Sequence, residues 1–396
     1  MKIAIYHNLP SGGAKRALFE LVRHLDNRHT VDVFTMSTAD SSFASLRGLS
    51  RNHRVFEFQT SRLFGSPWGR LNQAARTIDL FRLQRLNARV AVAIEQGQYD
   101  VVFVHPCQFE NSPSLLKQLN TRSVFFCQEP LRRIYEKMPA RAYDGQSSPR
   151  RRFLDTIDPL PKAYLHFLRR TDRRSLLAAD QIVVNSKFIQ RSVADIYGAP
   201  AKVLYLGVDT SLFAPRLNAK GDFVLSVGSL TPLKGFDFVI KALATIRESQ
   251  RPPLRIVCNF EIDMERKYLS ALAASLGVEL EILRGISDRS LAESYDRALL
   301  TAYAPHREPF GLVAIESMAA GTPVVGVREG GLPETIVDGK TGVLVERDAR
   351  PFGDAIHQLL QDDQSREKMG RRGRQHVLEN WTWGLAARRA EAVLAG

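Results

Sequence analysis

The sequence predicts an α/β fold of two doubly wound parallel-sheet domains facing a cleft, and three observations carry that expectation. The chain has 396 residues, more than one domain of roughly 100–200 residues usually takes. Short strand-like apolar runs alternate with helical patterns along most of it. That alternation stops once near the middle and restarts, and repeated βα units imply parallel sheets.

In the first half the strand-like runs are Ile3–Tyr6, Val31–Thr35, Val101–His105, Val124–Cys127 and Ile182–Asn185. Residues 47–98 fit less well, because arginines are scattered through an amphipathic pattern around Leu63-Phe64, Trp68, Leu71 and Leu80-Phe81; they read as a peripheral, adaptable element. The second half runs through Phe223–Val227, Leu254–Cys258, Glu281–Arg284, Leu300–Ala304, Pro323–Val327 and Val343–Val345. Between them, Leu206-Gly207-Val208-Asp209 through Pro215 is a polar connection containing Gly and Pro, which marks a boundary. The expected domains are residues 1–205 and 206–380. Residues 381–396, with Trp381-Thr382-Trp383 and an Ala/Arg-rich helix, lie outside the βα rhythm and are expected to return to the first domain.

A composition of 44% hydrophobic and 24% charged residues suits a packed enzyme-sized protein and leaves little room for long disorder. The N-terminal MKIAIYHNLPSGG lacks the apolar region and cleavage site of a signal peptide, and no stretch approaches the roughly 20 apolar residues of a spanning helix. Cys107, Cys127 and Cys258 are far apart in apolar runs, which argues against a disulfide framework or zinc site and suits a reducing cytosol. A net charge of +13 calls for an anionic partner: nucleic acid, a phosphate-bearing substrate or a membrane. The basic residues cluster at Arg150-Arg151-Arg152, Arg169-Arg170 and Arg173-Arg174. A solvated basic helix face and a membrane or acceptor-phosphate surface are both open readings of that clustering. The stretch from Pro161 to Leu177, with Tyr164, Leu165, Phe167 and Leu168 among the arginines, could lie on an anionic membrane and present a lipid-linked acceptor. Nucleic acid is disfavoured, since no recognition motif or basic-aromatic interleaving is present.

Chemistry concentrates in Pro305-His306-Arg307-Glu308-Pro309-Phe310-Gly311-Leu312-Val313-Ala314-Ile315-Glu316, where a strand runs into a loop and a helix starts near Gly311. Free N–H groups at a helix start form an anion site, and Gly lets a phosphate approach the backbone. Carboxylates offer paired acceptors to vicinal diols, so Glu316 suits a ribose and Glu308 the hydroxyls of a transferred sugar. Taken singly, Glu308 reads more readily as an exposed loop charge and Glu316 as a helix-face charge. Their company changes that: Ala319-Ala320-Gly321-Thr322-Pro323 ends the helix and opens a strand, and Gly330-Gly331, Pro333-Glu334 and Thr341-Gly342 follow.

In that order and spacing the stretch resembles the E-x7-E signature of retaining glycosyltransferases of family 4, which have the GT-B fold of two Rossmann-like domains. The resemblance covers essentially the whole chain. It implies donor contacts from Gly12 and Gly13, whose turn follows the first strand, and from His306, Glu308, Phe310, Gly311, Leu312 and Glu316. Val227-Gly228-Ser229-Leu230-Thr231-Pro232-Leu233-Lys234-Gly235 is similar to the family's donor-phosphate segment; Lys234 matches, as a point charge for the diphosphate. Ser229 stands where the family has Arg, which leaves Arg284, Arg307 or Arg328 to compensate. His306 stands where the family often has Ser, and loop packing is the simpler role for it. Ala179 to Ser186 and Leu206 to Asp209 look like the family's run into the interdomain hinge.

His105 closes a strand at the edge where doubly wound sheets place ligands, and in related proteins a histidine near here touches the transferred sugar. A hydrogen-bonded histidine at a strand end is the alternative. Gln128, Glu129 and Arg132, in Cys127 to Glu136, resemble a segment that faces the acceptor; an intradomain salt bridge of Glu129 is the other account.

The expected catalytic set is therefore Glu308, Lys234 and His105. No Asp-x-Asp and no metal-spaced His/Cys cluster occurs, so metal independence is expected, with helix N-termini and cations stabilising the leaving diphosphate. No cofactor is expected, because the nucleotide-sugar is a co-substrate. The resemblance implies transfer of a hexose-type sugar, from a UDP- or GDP-sugar, to a sugar, glycan or lipid-linked acceptor, with retention of configuration and the departing phosphate oxygen assisting the acceptor hydroxyl. It also implies a cytoplasmic protein, or one peripheral on the inner face of the membrane. The rival readings are a phosphorylase or epimerase on the same architecture, and a weak or inactive relative acting as a basic binding protein, which Ser229 favours.

Overall fold

The structure is a computed structural model that describes residues 1–25, 27–65, 71–141, 143, 158–216 and 220–396. Arg150-Arg151-Arg152 and Trp68 lie outside the described residues.

The first domain opens with β1 (Lys2–Asn8), α1 (Gly13–Arg23), β2 (Thr30–Met36) and β3 (Asn52–Phe56). Then come α2 (Asn72–Glu95), β4 (Val101–Cys107), β5 (Ser123–Phe126) and the single turn α3 (Arg132–Tyr135). It continues through α4 (Pro159–Leu176), β6 (Gln181–Val184), α5 (Lys187–Tyr197) and β7 (Lys202–Val203). The second domain comprises β8 (Val224–Val227), α6 (Phe236–Ala244), β9 (Leu254–Cys258), α7 (Asp263–Ser275) and β10 (Leu280–Arg284). After these follow α8 (Asp288–Arg297), β11 (Leu300–Tyr303), α9 (Leu312–Ala319), β12 (Val324–Val327) and α10 (Leu332–Thr335). The chain ends with β13 (Gly342–Val345), α11 (Ala349–Gln361), α12 (Asp363–Asn380) and α13 (Trp383–Ala395).

The strand orders are β3-β2-β1-β4-β5-β6-β7 and β10-β9-β8-β11-β12-β13, and the strands within each pair in parallel. Both faces of each sheet are covered, which explains the near-continuous apolar runs. On β1, for instance, Ile3 and Ile5 pack with Ala17, Leu18 and Leu21 of α1, while Ala4 and Tyr6 pack with Leu83, Val90 and Ile94 of α2. Burying each of the isoleucine, leucine and valine side chains among these contributes about 1.5–3 kcal/mol.

Residues 47–98 are more regular than the sequence suggests. They contain the edge strand β3, paired in register from Asp32↔Asn52 to Met36↔Phe56, and the 24-residue α2. The apolar residues of α4 also divide: Tyr164 and Leu168 are buried in the first domain's core, Phe167 packs on Phe81 of α2 at 4.6 Å between ring centroids, and Leu165 is left exposed. Core packing thus claims part of the stripe read from the sequence as a membrane face.

Polar contacts join the domains. Glu334 of α10 accepts from the backbone N–H groups of Lys187 and Phe188, both at 2.8 Å, so it caps the start of α5 from the other domain. Arg141 donates to Glu265 and to Asp237, each at 2.9 Å. The C-terminal α13 lies against α1 and β4, where Arg122 donates to the carbonyls of Leu394 and Val393.

Candidate functional site

Strand order reverses between β1 and β4 in one sheet and between β8 and β11 in the other. Doubly wound sheets bind ligands outside the carboxyl ends of their strands at such reversals. Here the loops after all four strands line a single cavity of about 510 Å³ between the domains. Gly13, Gln128, Glu129 and Arg132 face it from the first domain, and Ser229, Lys234, Glu308, Phe310, Gly311 and Leu312 from the second.

Lys234 Nζ donates to Glu308 Oε2 at 2.9 Å. Its stem passes over Gly228, where an added Cβ would stand 3.2 Å from two Lys234 carbons. Glu308 is held by close backbone packing. The Gly331 N–H donates to the Glu308 carbonyl at 2.7 Å, and a Cβ on Gly330, whose φ is +62°, would collide with the Glu308 backbone. Glycine is therefore required at that turn by both conformation and space. Burial, followed by the neighbouring Glu308 carboxylate, pushes the Tyr303 phenol well above its usual range. Gly311, at φ +101°, caps α9, and no side chain caps that helix start, so its positive end faces the cavity. Across the gap, an added Cβ at Gly13 would lie 3.3 Å from Leu312 Cδ1.

Glu316 occupies a neighbouring cavity of about 300 Å³, which shares Leu312 with the first and is lined also by Arg16, Glu20, Asp209 and Asp288. The Tyr295 hydroxyl donates to Glu316 Oε2 at 2.9 Å. Burial holds the Glu316 carboxyl above the usual carboxylate range, with Arg16 and the Tyr295 hydrogen bond opposing that shift. Arg16 pairs with Asp288 at 2.5 Å across the domains. Sequence reasoning missed both residues; a cation three positions after Gly13 and an acid at the first position of α8 were the available signals.

On the first-domain side, Gln128 Nε2 donates to the Ala14 carbonyl at 3.2 Å. Among the described residues Glu129 forms no salt bridge: Arg132 pairs with Glu136 at 2.8 Å and donates to the His306 carbonyl at 2.7 Å. Burial holds the Glu129 carboxyl above its usual range, with Arg132 lowering it and Glu308 raising it.

Several expected site residues lie elsewhere. His105 is fully buried, with its ring 4.4 Å from the centroid of Phe103 and 5.5 Å from that of Phe126. Among the described residues neither ring nitrogen has a hydrogen-bond partner, and burial pushes the imidazole down to about 3. Its neighbours Pro106 and Cys107 line the cleft instead, because His105 shares the covered face of β4 with Phe103. His306 is held in the loop by its N–H to the Leu233 carbonyl at 2.8 Å and does not line the cavity, nor do Gly12 and Gly228. The three arginines expected to replace the cation missing at Ser229 are paired away from the cleft: Arg284 with Glu261, Arg307 with Glu136, and Arg328 with Asp338. Arg132 is the arginine that shares the cavity with Ser229 and Lys234.

Among the described residues, no group of three or more His, Cys, Asp and Glu side chains is arranged to hold a metal ion, and no helix is long and apolar enough to cross a membrane.

Residues 208–376 match the family "Glycosyl transferases group 1", and residues 11–212 match "Glycosyltransferase Family 4". The chain is 30% identical to the D-inositol 3-phosphate glycosyltransferase of Acidothermus cellulolyticus over 376 residues, which covers 88% of this chain and 78% of that protein. It is 33% identical over 242 residues to the GDP-mannose-dependent alpha-(1-6)-phosphatidylinositol monomannoside mannosyltransferase of Mycolicibacterium smegmatis, covering 55% of this chain and 63% of the relative. The fold superimposes on Anabaena HepE, solved in complex with UDP and glucose, with a TM-score of 0.73 at 19% identity, covering 100% of both chains.

Proposed function

This chain belongs to glycosyltransferase family 4, and from that premise we propose that it moves a hexose-type sugar from a UDP- or GDP-sugar to a sugar, glycan or lipid-linked acceptor, with retention and without a metal ion. The observation that carries the reading is the Lys234–Glu308 pair beside the uncapped start of α9, opposite Gly13.

The diphosphate lies between Gly13, the N-terminus of α9 and Lys234, where backbone dipole and ammonium oppose the charge that grows as the glycosidic bond breaks. Glu308 accepts hydrogen bonds from the sugar, and Glu316 accepts them from the ribose in the adjoining cavity. Their separation into two cavities sharing Leu312 fits a ligand that bends past this residue. Gln128 and Glu129 face the acceptor. The departing phosphate oxygen takes the proton of the acceptor hydroxyl on the same face, so the protein contributes orientation and electrostatics. Arg132 supplies from the first domain the cation that Ser229 lacks. The exposed apolar side chains of Ile78, Phe81 and Leu165, among the arginines of α2 and α4, rest on an anionic membrane.

Sugar release from UDP- and GDP-hexoses, measured for wild type and Glu308→Gln, tests the reading. Turnover with at least one donor that falls sharply in the variant supports it. No turnover with any donor overturns it in favour of an inactive relative that binds without transferring.

A further inference from the structure

Outside the cleft, the α1-facing side of the first sheet carries a further polar cavity of about 220 Å³ at the carboxyl ends of β1, β2 and β3. His7 from β1, His53 from β3, Lys15 from α1 and Arg47 from the intervening loop all line it, and none of them lines the interdomain cleft. Strand parity puts His7 and His53 on the same face, so the four cationic or ionisable bases converge. Lys15 and His7 are each only 2% exposed. The Lys15 ammonium makes no hydrogen bond or ion pair among the described residues. His53 Nδ1 is buried without a partner. Among the described residues one acid lines the cavity, Asp40, and its Oδ1 is taken by the Ser42 N–H and hydroxyl and the Phe43 N–H at 2.8–2.9 Å.

Burying an unpaired ammonium costs free energy unless a counter-charge joins it. Burial lowers the Lys15 ammonium, with the Asp40 carboxylate opposing that shift; burial and then Lys15 lower His7, and burial, Arg47 and Lys15 lower His53, as expected where buried bases outnumber the one acid beside them. A tetrahedral oxyanion fits the cavity and offers several acceptors to these donors.

We propose that this cavity is a second binding site, separate from the donor cleft, for a phosphate-class oxyanion held by Lys15, Arg47, His7 and His53. The oxyanion is either free phosphate or the phosphate of a polyol monoester.

Equilibrium dialysis of the full chain with radiolabelled orthophosphate tests this in wild type, Lys15→Met, Arg47→Gln and Lys368→Ala. Wild type and Lys368→Ala, at an exposed lysine of α12 outside both sites, are expected to bind alike, and Lys15→Met and Arg47→Gln at least about tenfold more weakly, as for loss of a charge-assisted bond. If Lys15→Met fails to fold, the exposed Arg47→Gln decides. Glycerol 3-phosphate separates the sources: affinity well above that of orthophosphate assigns a polyol phosphate, and equal affinity assigns free phosphate. No orthophosphate binding by wild type, binding unchanged in the folded Lys15 and Arg47 variants, or binding weakened as much in Lys368→Ala overturns the proposal.

Discussion

Lys234 and Glu308, 74 residues apart in the chain, meet at 2.9 Å where the loop after β8 approaches the loop after β11. Both side chains are mostly buried, at 23% and 14% exposure, so the pair is screened far less than a surface ion pair. In the proposed reaction it spans the junction of sugar and diphosphate. Glu308→Gln is expected to lower kcat by about 10²–10³-fold, the usual loss when one preorganised transition-state contact is removed. Steady-state kinetics of Glu308→Gln, Lys234→Ala and the double variant should show less-than-additive losses, as for residues acting as a unit. Fully additive losses would count against coupling.

Arg132 and Ser229 line the same cavity. Arg132→Met is expected to lower kcat about tenfold or more, and Ser229→Arg in that background to restore part of it by returning a cation to the leaving group. Rescue without change in Tm is the reading to look for; a purely structural role for Arg132 would leave Ser229→Arg without effect.

Glu316 is buried with its carboxyl held above the ordinary range. The folded state therefore binds this proton more tightly than the unfolded chain, and the group lowers stability as pH rises from the usual carboxylate range through the folded value, remaining costly at neutral pH. Glu316→Gln is expected to raise Tm at pH 7 by about 2–4 °C, corresponding to about 1 kcal/mol, while weakening donor binding. Thermal melts should show the gain shrinking as pH falls through and below the usual carboxylate range, where the carboxyl becomes protonated in both states. A gain that grows on acidification would contradict this sign.

Arg141 is a buried guanidinium shared between Glu265 and Asp237 of the other domain. Arg141→Met strands the buried Glu265 carboxylate and is expected to cost about 3 kcal/mol in urea denaturation, with faster proteolysis between the domains. A loss under about 1 kcal/mol would show the contact to be dispensable.

Flotation with anionic liposomes should carry the protein upward at low salt and much less at 1 M salt, where charge attraction is screened within about 3 Å. Phe81→Glu, at a side chain 48% exposed, should reduce flotation. Protein that remains in the bottom fraction at low salt would remove the membrane from the proposal.

The alternation of βα units, the two halves, the glycine-rich turns and the motif around Glu308 are legible in the sequence because they follow from local periodicity and spacing. β3 was not legible. Its residues, Asn52–Phe56, are largely exposed and polar, and only pairing with β2 makes them a strand. The run around α2 read as amphipathic without declaring a helix, since that helix packs in part on α4 and in part meets solvent.

What the sequence determined by itself was therefore the kind of molecule and the neighbourhood of its site. Tertiary structure decided which side chains meet there. It buried His105 among aromatic rings, turned Arg284, Arg307 and Arg328 toward acids outside the cleft, placed Arg132 and Ser229 on the walls of one cavity, and joined Arg16 to Asp288 over 272 residues. Residue order fixes periodicity and turns within a few positions, whereas contact between distant loops depends on how the two sheets twist, pack and face each other.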